Sequence, residues 1–430
     1  MASATKTAER NIVIVGGGII GCTTAYFLTR HPSFNPAKHT ITILEAQSIA
    51  SGASGKAGGL LALWAYPSSI VPLSYKLHAE LAEEHDGATR WGYRTLHCGS
   101  LSANGKDYSA HTNINGSKQG VGAGAAEGNG EQWHKLPKTN LKGNTKNGIP
   151  NSLDWFDTDT IKSYSEMGTP STTAQVHPYL FTTSMASLAS SSGAKVILGS
   201  VTAIDYSGPG SQSVKSVTYE DKETKEACNI PATDVILAAG PWTSRVFPQA
   251  PIDAMRAHSV VIKADVSPYA VFSDISLPKG FTGSRGGGSD GRGKRRRHGT
   301  SVAPEMYARP DGTVYACGEG DTLVSLPASS DLVTCDEDSC QDIIDYVSSI
   351  STPLREGEVL VKQACYLPSV AGGGGPLIGE TGIRGLLLAT GHTCWGIQNS
   401  CATGKLMSEF IFEGEAKSAR IEGLDPRRFL

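Results

Sequence analysis

The sequence is first informative for what it lacks. No stretch of 18 consecutive apolar residues occurs, so no transmembrane helix is expected. The first ten residues contain no apolar core of the kind found in secretory signals. The last three, Arg428-Phe429-Leu430, differ from the peroxisomal Ser-Lys-Leu address. We therefore expect a cytoplasmic protein.

Charge and cysteine content also exclude several classes. The formal net charge of −3 gives no reason to expect nucleic acid or an anionic membrane as a partner. The nine cysteines include no C-x-x-C pair, so no structural zinc or other metal site is predicted. Free thiols in a reducing compartment are the simplest interpretation. With 430 residues and 39% hydrophobic content, the chain has the size and composition of two or three globular domains.

Residues 11–45 have the pattern of a dinucleotide-binding βαβ unit. A strand of Ile and Val leads into a Gly-rich turn, an apolar helix, a second strand and a carboxylate, Glu45. Gly16 permits the tight turn, Gly18 lets a pyrophosphate approach the backbone, and Gly21 allows close packing of helix on sheet. Helix N–H groups face the phosphates, and Glu45 accepts from ribose hydroxyls, which disfavours NADP. The alternative is an ordinary βαβ turn. The predicted contacts are Gly16, Gly18, Ile19, Ile20, Gly21, Glu45 and Ala46.

Two stretches are predicted to be flexible surface insertions. Residues 103–152 are dominated by Gly, Asn, Lys and Ser. Residues 283–299 contain Lys294-Arg295-Arg296-Arg297 between Gly-rich flanks. The basic run has the composition of a localisation signal or a nucleic-acid patch. We favour a solvated loop, because the flanks are not helical.

Apolar periodicity predicts the main elements elsewhere. Helical spacing covers residues 70–85, and a second helix is expected to start within 157–164. Residues 234–240 read as a buried strand that ends in a Gly turn. Residues 305–308 and 313–317 are predicted to form a hairpin around Pro310-Asp311-Gly312.

Several separated motifs resemble the D-amino-acid-oxidase-like family of FAD-dependent oxidoreductases, which includes glycine, sarcosine and fructosyl-amine oxidases. The motifs are the βαβ unit with Glu45, the loop 51–59, Ala239-Gly240-Pro241-Trp242, Pro376-Leu377-Ile378-Gly379, and the turn Gly391-His392-Thr393-Cys394-Trp395-Gly396. That last turn is most similar to poorly characterised fungal members. The resemblance covers the chain except the two insertions.

The resemblance implies an α/β fold with two domains. One is a Rossmann-like FAD-binding domain of the glutathione-reductase type, discontinuous over residues 8–95, 170–250 and 355–425. The other is a mainly antiparallel β-sheet substrate domain of α+β character, over residues 96–169 and 251–354. The segment Ala46–Leu63, with the loop 51–59 at its centre, is too small and polar for a strand and is expected to be a loop that leads into a short helix.

The resemblance also implies cofactor contacts outside the βαβ unit. Residues 54–60 would lie along the pyrophosphate and flavin ring, and the backbone of Val201 would hold adenine. The turn 391–397 would aim a helix N-terminus at the flavin pyrimidine, where its dipole stabilises the negative charge of the reduced flavin. An ordinary turn is the alternative. The implied residues are Ser54, Gly58, Gly59, Leu60, Val201, Gly240, Trp242, Gly391, His392, Gly396 and Ile397.

Cys365 is a candidate for covalent flavin attachment. In sarcosine and fructosyl-amine oxidases a Cys on the matching strand carries the flavin through a thioether, and Gln363-Ala364-Cys365-Tyr366 looks similar. The alternative is a buried structural thiol. We hypothesise a link between Cys365 and FAD.

No triad or carboxylate pair is evident, and flavin chemistry requires none, because the cofactor supplies the reactive centre. Arg309 is the candidate anchor for a substrate carboxylate, since its planar guanidinium binds one bidentately. Tyr307 shares its strand parity. Lys56 and His392 are the other catalytic candidates. Each has a structural alternative: a pocket-rim residue for Arg309 and Tyr307, a solvated Lys, and a turn His.

These features predict an oxidoreductase that oxidises the C–N bond of a small amine or amino acid, with O2 reoxidising FAD. The first alternative is an FAD-dependent 2-hydroxy-acid dehydrogenase. The second is a flavin-stabilised interaction protein with little turnover. The expected partners are a small-molecule substrate and O2, without nucleic acid.

Overall fold

The computed structural model describes residues 9–107, 148–208, 213–285 and 299–430. The strands are β1 (Arg10–Val15), β2 (His39–Glu45), β3 (Leu60–Ala62), β4 (Arg94–Thr95), β5 (His97–Asn104), β6 (Ile161–Gly168), β7 (Thr173–Gln175), β8 (Lys195–Tyr206), β9 (Val214–Asp221), β10 (Ala227–Pro231), β11 (Asp234–Leu237), β12 (Ile252–Lys263), β13 (Tyr269–Ser276), β14 (Ser301–Val302), β15 (Glu305–Ala308), β16 (Thr313–Asp321), β17 (Val359–Val370), β18 (Leu377–Glu380) and β19 (Leu386–Thr390). The helices are α1 (Ile19–Thr29), α2 (Ala53–Lys56), α3 (Val71–Glu84), α4 (Gly87–Trp91), α5 (Pro178–Ser191), α6 (Thr243–Val246), α7 (Glu337–Ser348), α8 (Thr352–Glu356) and α9 (Gly396–Glu413).

A sheet with a parallel centre carries the N-terminal βαβ unit. Its order is β10-β9-β8-β2-β1-β11-β19-β18, and the strands from β8 to β19 run parallel. Strand β1 is buried on both faces, because its successive apolar side chains point alternately into two different clusters. Ile12 and Ile14 pack under α1, α5 and α9, whereas Val13 and Val15 pack in a separate cluster on the other face. A continuous apolar run is therefore what this strand requires.

A second, mainly antiparallel sheet has the order β17-β12-β16-β15-β13-β5-β6, with β14 paired to β13. Its side chains alternate between two apolar clusters, as the two-residue period of a strand requires. Met306 and Val314 face the cluster closed by α7 and α8. Tyr307 and Tyr315 face the opposite cluster, together with Leu60 and Trp395. This opposite face is directed towards the elements of the parallel sheet.

A small third sheet, β3-β7-β4, lies between these layers. It includes β3, so the apolar end of the predicted loop does form a short strand after the four-residue helix α2. Leu60 to Ala62 are all buried there, and pairing with β7 decides the conformation.

The prediction of a helix starting within 157–164 was wrong. Thr160 closes a turn on the Asp157 carbonyl, with its N–H at 2.9 Å. The chain then continues as β6, which pairs with β5 and buries Ile161 and Tyr164. The helix predicted over residues 70–85 and the hairpin predicted around residues 310–312 are confirmed.

Two further boundaries can be compared with the structure. Strand β17 falls within the predicted FAD-binding segment 355–425, but it pairs with β12 in the antiparallel sheet. The domain division itself stays a prediction. Most of both predicted insertions, including the basic run, lies outside the described residues. Among the described helices, none is long and apolar enough to cross a membrane.

Candidate active site

The Gly-rich turn between β1 and α1 is sterically restricted to glycine at two positions. Gly16 has φ of +111°, and a Cβ there would lie 2.5 Å from the Ala238 carbonyl oxygen. A Cβ at Gly21 would lie 2.0 Å from the Gly16 carbonyl oxygen. At Gly18 the only close atom is Ser54 Oγ, at 3.1 Å. The turn therefore has no room for a side chain at Gly16 or Gly21, whereas Gly18 has a single close neighbour. This arrangement fits the approach of a pyrophosphate to the backbone at Gly18.

The carboxylate at the end of β2 is tied to this turn. Glu45 Oε2 accepts from the Gly17 N–H at 2.7 Å, and its Oε1 accepts from the Gln47 N–H at 2.8 Å. Ser54 Oγ accepts from the Ile19 N–H at 2.9 Å and so joins the 51–59 loop to the first turn of α1. These bonds orient an acid and a helix N-terminus towards one place, as a bound dinucleotide requires.

The loop 51–59 also touches the antiparallel sheet. A Cβ at Gly58 would lie 2.2 Å from the Tyr307 ring, so the loop backbone packs directly on that ring. Gly59 has φ of +90°, and a Cβ there would meet the Val176 carbonyl oxygen at 2.0 Å. The loop thus connects the dinucleotide turn with the sheet face that carries Tyr307.

That sheet face carries the carboxylate of Glu305, from β15. Glu305 pairs with Cys317 of β16, and Tyr307 pairs with Tyr315. The Tyr307 and Tyr315 rings stack with centroids 5.9 Å apart. The Tyr307 hydroxyl donates to Glu305 Oε2, and Cys317 Sγ lies 4.0 Å from the same oxygen. Burial raises the pKa of Glu305, while the Tyr307 hydrogen bond opposes this shift.

Aromatic side chains surround this region. Trp64 and Trp395 meet edge to face with centroids 5.6 Å apart, and Tyr66 lies 5.9 Å from Trp395. Phe272 joins the group, at 5.9 Å from Trp64 and 6.1 Å from Tyr307. The rings come from the segment after β3, from the antiparallel sheet and from the turn before α9.

The turn before α9 closes the same region. Thr393 has φ of +52°, and Cys394 is exposed. The Tyr66 hydroxyl lies 3.9 Å from Cys394 Sγ. Burial, and then the charge of Glu305, raise the pKa of the Cys394 thiol to about 11. Cys394 and Glu305 therefore lie close enough for the carboxylate charge to act on the thiol.

Comparison with known proteins decides the family. The sequence model of the FAD dependent oxidoreductase family, DAO, matches residues 11–410. The chain belongs to this family. It is 36% identical to "Putative oxidoreductase TDA3" of Saccharomyces cerevisiae, with 99% of this chain and 96% of the relative covered. It is 35% identical to "Putative oxidoreductase C1F5.03c" of Schizosaccharomyces pombe, covering 97% and 98%.

Solved structures share the fold of this chain. Glycine oxidase from Bacillus cereus matches with a TM-score of 0.65 at 18% identity, over 94% of this chain and 95% of that chain. L-proline dehydrogenase from P. horikoshii matches with a TM-score of 0.66 at 16% identity, over 98% of both. At these identities the likeness shows the fold alone. With the family match, it confirms the predicted fold class and an FAD-dependent oxidoreductase.

The structure places the basic candidates of this DAO-family protein beside the 51–59 loop. Arg309 is buried, donates from Nη2 to the Ala57 carbonyl at 3.0 Å, and lies over the Tyr315 ring. Among the described residues, its buried Nε has no hydrogen-bond partner. Lys56 Nζ donates to the Ala364 carbonyl at 2.9 Å. Both bonds hold the 51–59 loop, and the catalytic roles of the two residues stay predictions.

His392 is also held inside the protein. Its Nε2 lies 3.0 Å from Thr403 Oγ1 of α9, and burial lowers its pKa to about 3. A neutral, enclosed imidazole favours a structural role for the turn over a catalytic one. Gly391, two residues before the turn's Thr393, has φ of +79°, and a Cβ there would lie 2.8 Å from Val370 Cγ2. Ile397 is buried and accepts at its carbonyl from His78 Nε2 at 2.9 Å.

The remaining cofactor candidates occupy separate positions. Gly240 has φ of +53° with open space at its Cβ position, and Trp242 Nε1 donates to the Pro327 carbonyl at 2.8 Å. Val201 lies in β8 opposite Tyr219. Cys365 is buried in β17, where burial raises its pKa to about 11 and the charge of Lys56 opposes the shift. Their roles towards FAD stay predictions.

Sequence reasoning missed Glu305 and Cys317 and the rings of Trp64, Tyr66 and Phe272. A signal for Glu305 existed, because Glu305, Tyr307 and Arg309 share one strand parity and therefore one face. The three missed rings had no local signal, since they come from segments far apart in the sequence.

Proposed function

We propose that the protein oxidises the C–N bond of a small amine or amino acid, with O2 as the electron acceptor. The observation that carries the proposal is the contact of Gly58 with Tyr307. It brings the loop that continues from the dinucleotide turn against a sheet face that carries aromatic rings. A face of this kind suits a small organic substrate, because apolar walls exclude water and a few polar groups fix orientation.

The comparisons support the same reaction type. The neighbours by fold include glycine oxidase, L-proline dehydrogenase and an iminodiacetate oxidase from Chelativorans sp., the last with a TM-score of 0.64. Each of these names states a substrate that contains an amino or imino nitrogen. We extend that reaction type, and not any one substrate, to this chain.

The site indicates which roles belong to FAD and which belong to the protein side chains. When bound, FAD supplies the capacity to accept a hydride from carbon. The turn with Gly16, Gly18 and Gly21 would hold the pyrophosphate, and Glu45 would orient the ribose. The helix N-terminus of α9 would favour negative charge close to it. The aromatic side chains would orient the substrate and exclude water, and the loss of water strengthens every electrostatic contact beside them.

The electron acceptor is tested by reoxidation in air. The flavin of purified holoprotein is reduced photochemically under nitrogen, and oxygenated buffer is mixed in. We expect rapid return of the oxidised spectrum with formation of peroxide. Slow return in oxygen but fast return with a quinone would show that the protein is a dehydrogenase.

We further propose that Cys365 carries FAD covalently. The support is its position on β17, close to the 51–59 loop through the bond of Lys56 to Ala364. Acid precipitation should leave the yellow colour in the pellet of the wild type and in the supernatant of Cys365→Ala. Cys228→Ala, on the edge strand β10, serves as the matched control. Colour in the wild-type supernatant would exclude the link.

The cytoplasm is our proposed compartment, supported by the free cysteines, which suit a reducing environment. Fractionation of cells that express the protein at its natural level tests this. Recovery in an organelle fraction would contradict it.

A further inference from the structure

Two cysteine side chains meet at the start of helix α7. Cys335 comes directly before the capping residue Asp336, and Cys340 is the fourth residue of the helix. Their Sγ atoms are 3.1 Å apart. A disulfide bond is about 2.05 Å long, so forming one here needs an approach of only about 1 Å.

The backbone around both thiols is fixed by hydrogen bonds. The Asp336 carboxylate accepts from the N–H groups of Asp338 and Ser339 at 2.9 and 3.1 Å. The Asp336 N–H donates to His258 Nε2 at 3.1 Å. The Cys340 N–H donates to the Asp336 carbonyl, also at 3.1 Å. The capped first turn of the helix therefore holds the two cysteines in place.

The two thiols differ in exposure and in acidity. Cys340 is fully buried, whereas Cys335 is only half-buried. The hydrogen bond with Cys340 lowers the pKa of the Cys335 thiol, against opposition from burial and from two flanking carboxylates. The same bond, together with burial, raises the pKa of Cys340. Since the N-terminus of a helix also favours a thiolate, Cys335 is the reactive member of the pair.

Apolar packing and metal binding are the other uses of two adjacent thiols. Apolar residues on either side of a helix cap often pack as a hydrophobic staple, but such a contact requires no ionisable side chain. The described residues contain no group of three or more His, Cys, Asp or Glu side chains that could hold a metal ion. Redox chemistry is the use that needs two thiols of unequal acidity in contact.

We propose that Cys335 and Cys340 form a redox-active dithiol that a peroxide oxidises reversibly to a disulfide. The Cys335 thiolate attacks hydrogen peroxide, the O–O bond breaks, and the products are a sulfenic acid and, after proton uptake, water. Cys340 then attacks the sulfenic sulfur, so that the S–S bond forms and a second water leaves. The two thiols lose two electrons, and one peroxide becomes two waters.

A dithiol of this kind is compatible with a reducing compartment, where disulfides are usually transient and redox-sensing. A thiol reductant returns the pair to its starting state by thiol–disulfide exchange. Hydrogen peroxide is also the product of the proposed oxidation by O2, but the dithiol reacts with peroxide from any source. Its oxidation is therefore measured with added peroxide, independently of the substrate reaction.

The test uses the full-length wild-type protein, reduced with dithiothreitol and then separated from it. Samples are treated with hydrogen peroxide or buffer, denatured in N-ethylmaleimide, digested and mapped by mass spectrometry. We expect peroxide to remove two maleimide groups, both from Cys335 and Cys340, and dithiothreitol to restore them. Retention of both groups at peroxide concentrations that oxidise other cysteines would overturn the proposal, as would a bridge from either residue to another cysteine.

Cys340→Ser separates the attacking thiol from the one that resolves the sulfenic acid. With its partner removed, the sulfenic acid at Cys335 should be trapped by dimedone, and this label should be lost in the wild type. Cys335→Ser should give no label at Cys340. Cys228→Ser removes another half-buried thiol and is the matched control, which should form the disulfide as the wild type does. Absence of label at Cys335 in Cys340→Ser, or label at Cys340 in Cys335→Ser, would overturn the assignment.

Discussion

Replacing Gly21 by alanine should disrupt the dinucleotide turn. The new Cβ would lie 2.0 Å from the Gly16 carbonyl oxygen, whereas ordinary van der Waals contact begins near 3.4 Å. The blocking atom belongs to the backbone, and Gly16 is itself held by the bond of its N–H to the Leu44 carbonyl at 2.8 Å. Neither side can move by a side-chain rotation, so helix α1 must shift away from the turn.

The expected magnitude is that of overpacking, about 1–3 kcal/mol of lost unfolding free energy. For a domain of 150–250 residues, each kcal/mol lowers the melting temperature by about 2–4 °C. We expect a fall of several degrees in a thermal scan, together with loss of FAD on gel filtration, because the shifted helix no longer presents its N–H groups to the phosphates.

Gly423→Ala is the control for the same chemical change. No heavy atom lies within 4 Å of the Cβ position at Gly423, outside its chain neighbours. This variant should melt and retain FAD as the wild type does. If Gly21→Ala also matched the wild type in both measurements, the steric account of the turn would be refuted.

Two further predictions address Glu45 and the buried imidazole of His392. Glu45→Gln leaves the Gly17 or Gln47 N–H without an acceptor, at about 1–3 kcal/mol, and should weaken FAD binding in a fluorescence titration, whereas unchanged affinity would contradict the role. Burial lowers the pKa of His392 from 6.5 to about 3, so only the unfolded state binds the proton between these values. The stability is therefore complete above about pH 6.5 and falls with acidification by up to about 1.4 kcal/mol per pH unit. His392→Gln should flatten that part of a melting-temperature profile, and an unchanged slope would refute the assignment.

The first βαβ unit was predictable because its requirements are local. The glycines at positions 16 and 21 are imposed by contacts within the turn and with the next strand, and Glu45 bonds to the turn itself. A short window of sequence therefore contains the whole argument. The hairpin around 310–312 was predictable for the same reason, since its turn residues adjoin its two strands.

The start of β6 and the surroundings of Glu305 were not predictable in this way. Asp157 and Thr160 resemble a helix start locally, but pairing with β5 makes the following segment a strand. Glu305 acquires its environment from Cys317 across the sheet and from Cys394 in the turn before α9. Contacts between residues so far apart in sequence leave no spacing that one sequence can reveal.

The most direct test of the central claim is anaerobic reduction of the flavin. Purified protein should show absorbance bands near roughly 370 and 450 nm, as flavoproteins do. A panel of small primary and secondary amines, matched amino acids and 2-hydroxy acids is then added under nitrogen. We predict bleaching of the longer-wavelength band by at least one amine or amino acid, faster than by any 2-hydroxy acid. Bleaching only by 2-hydroxy acids, or a protein that cannot be loaded with FAD, would contradict the account.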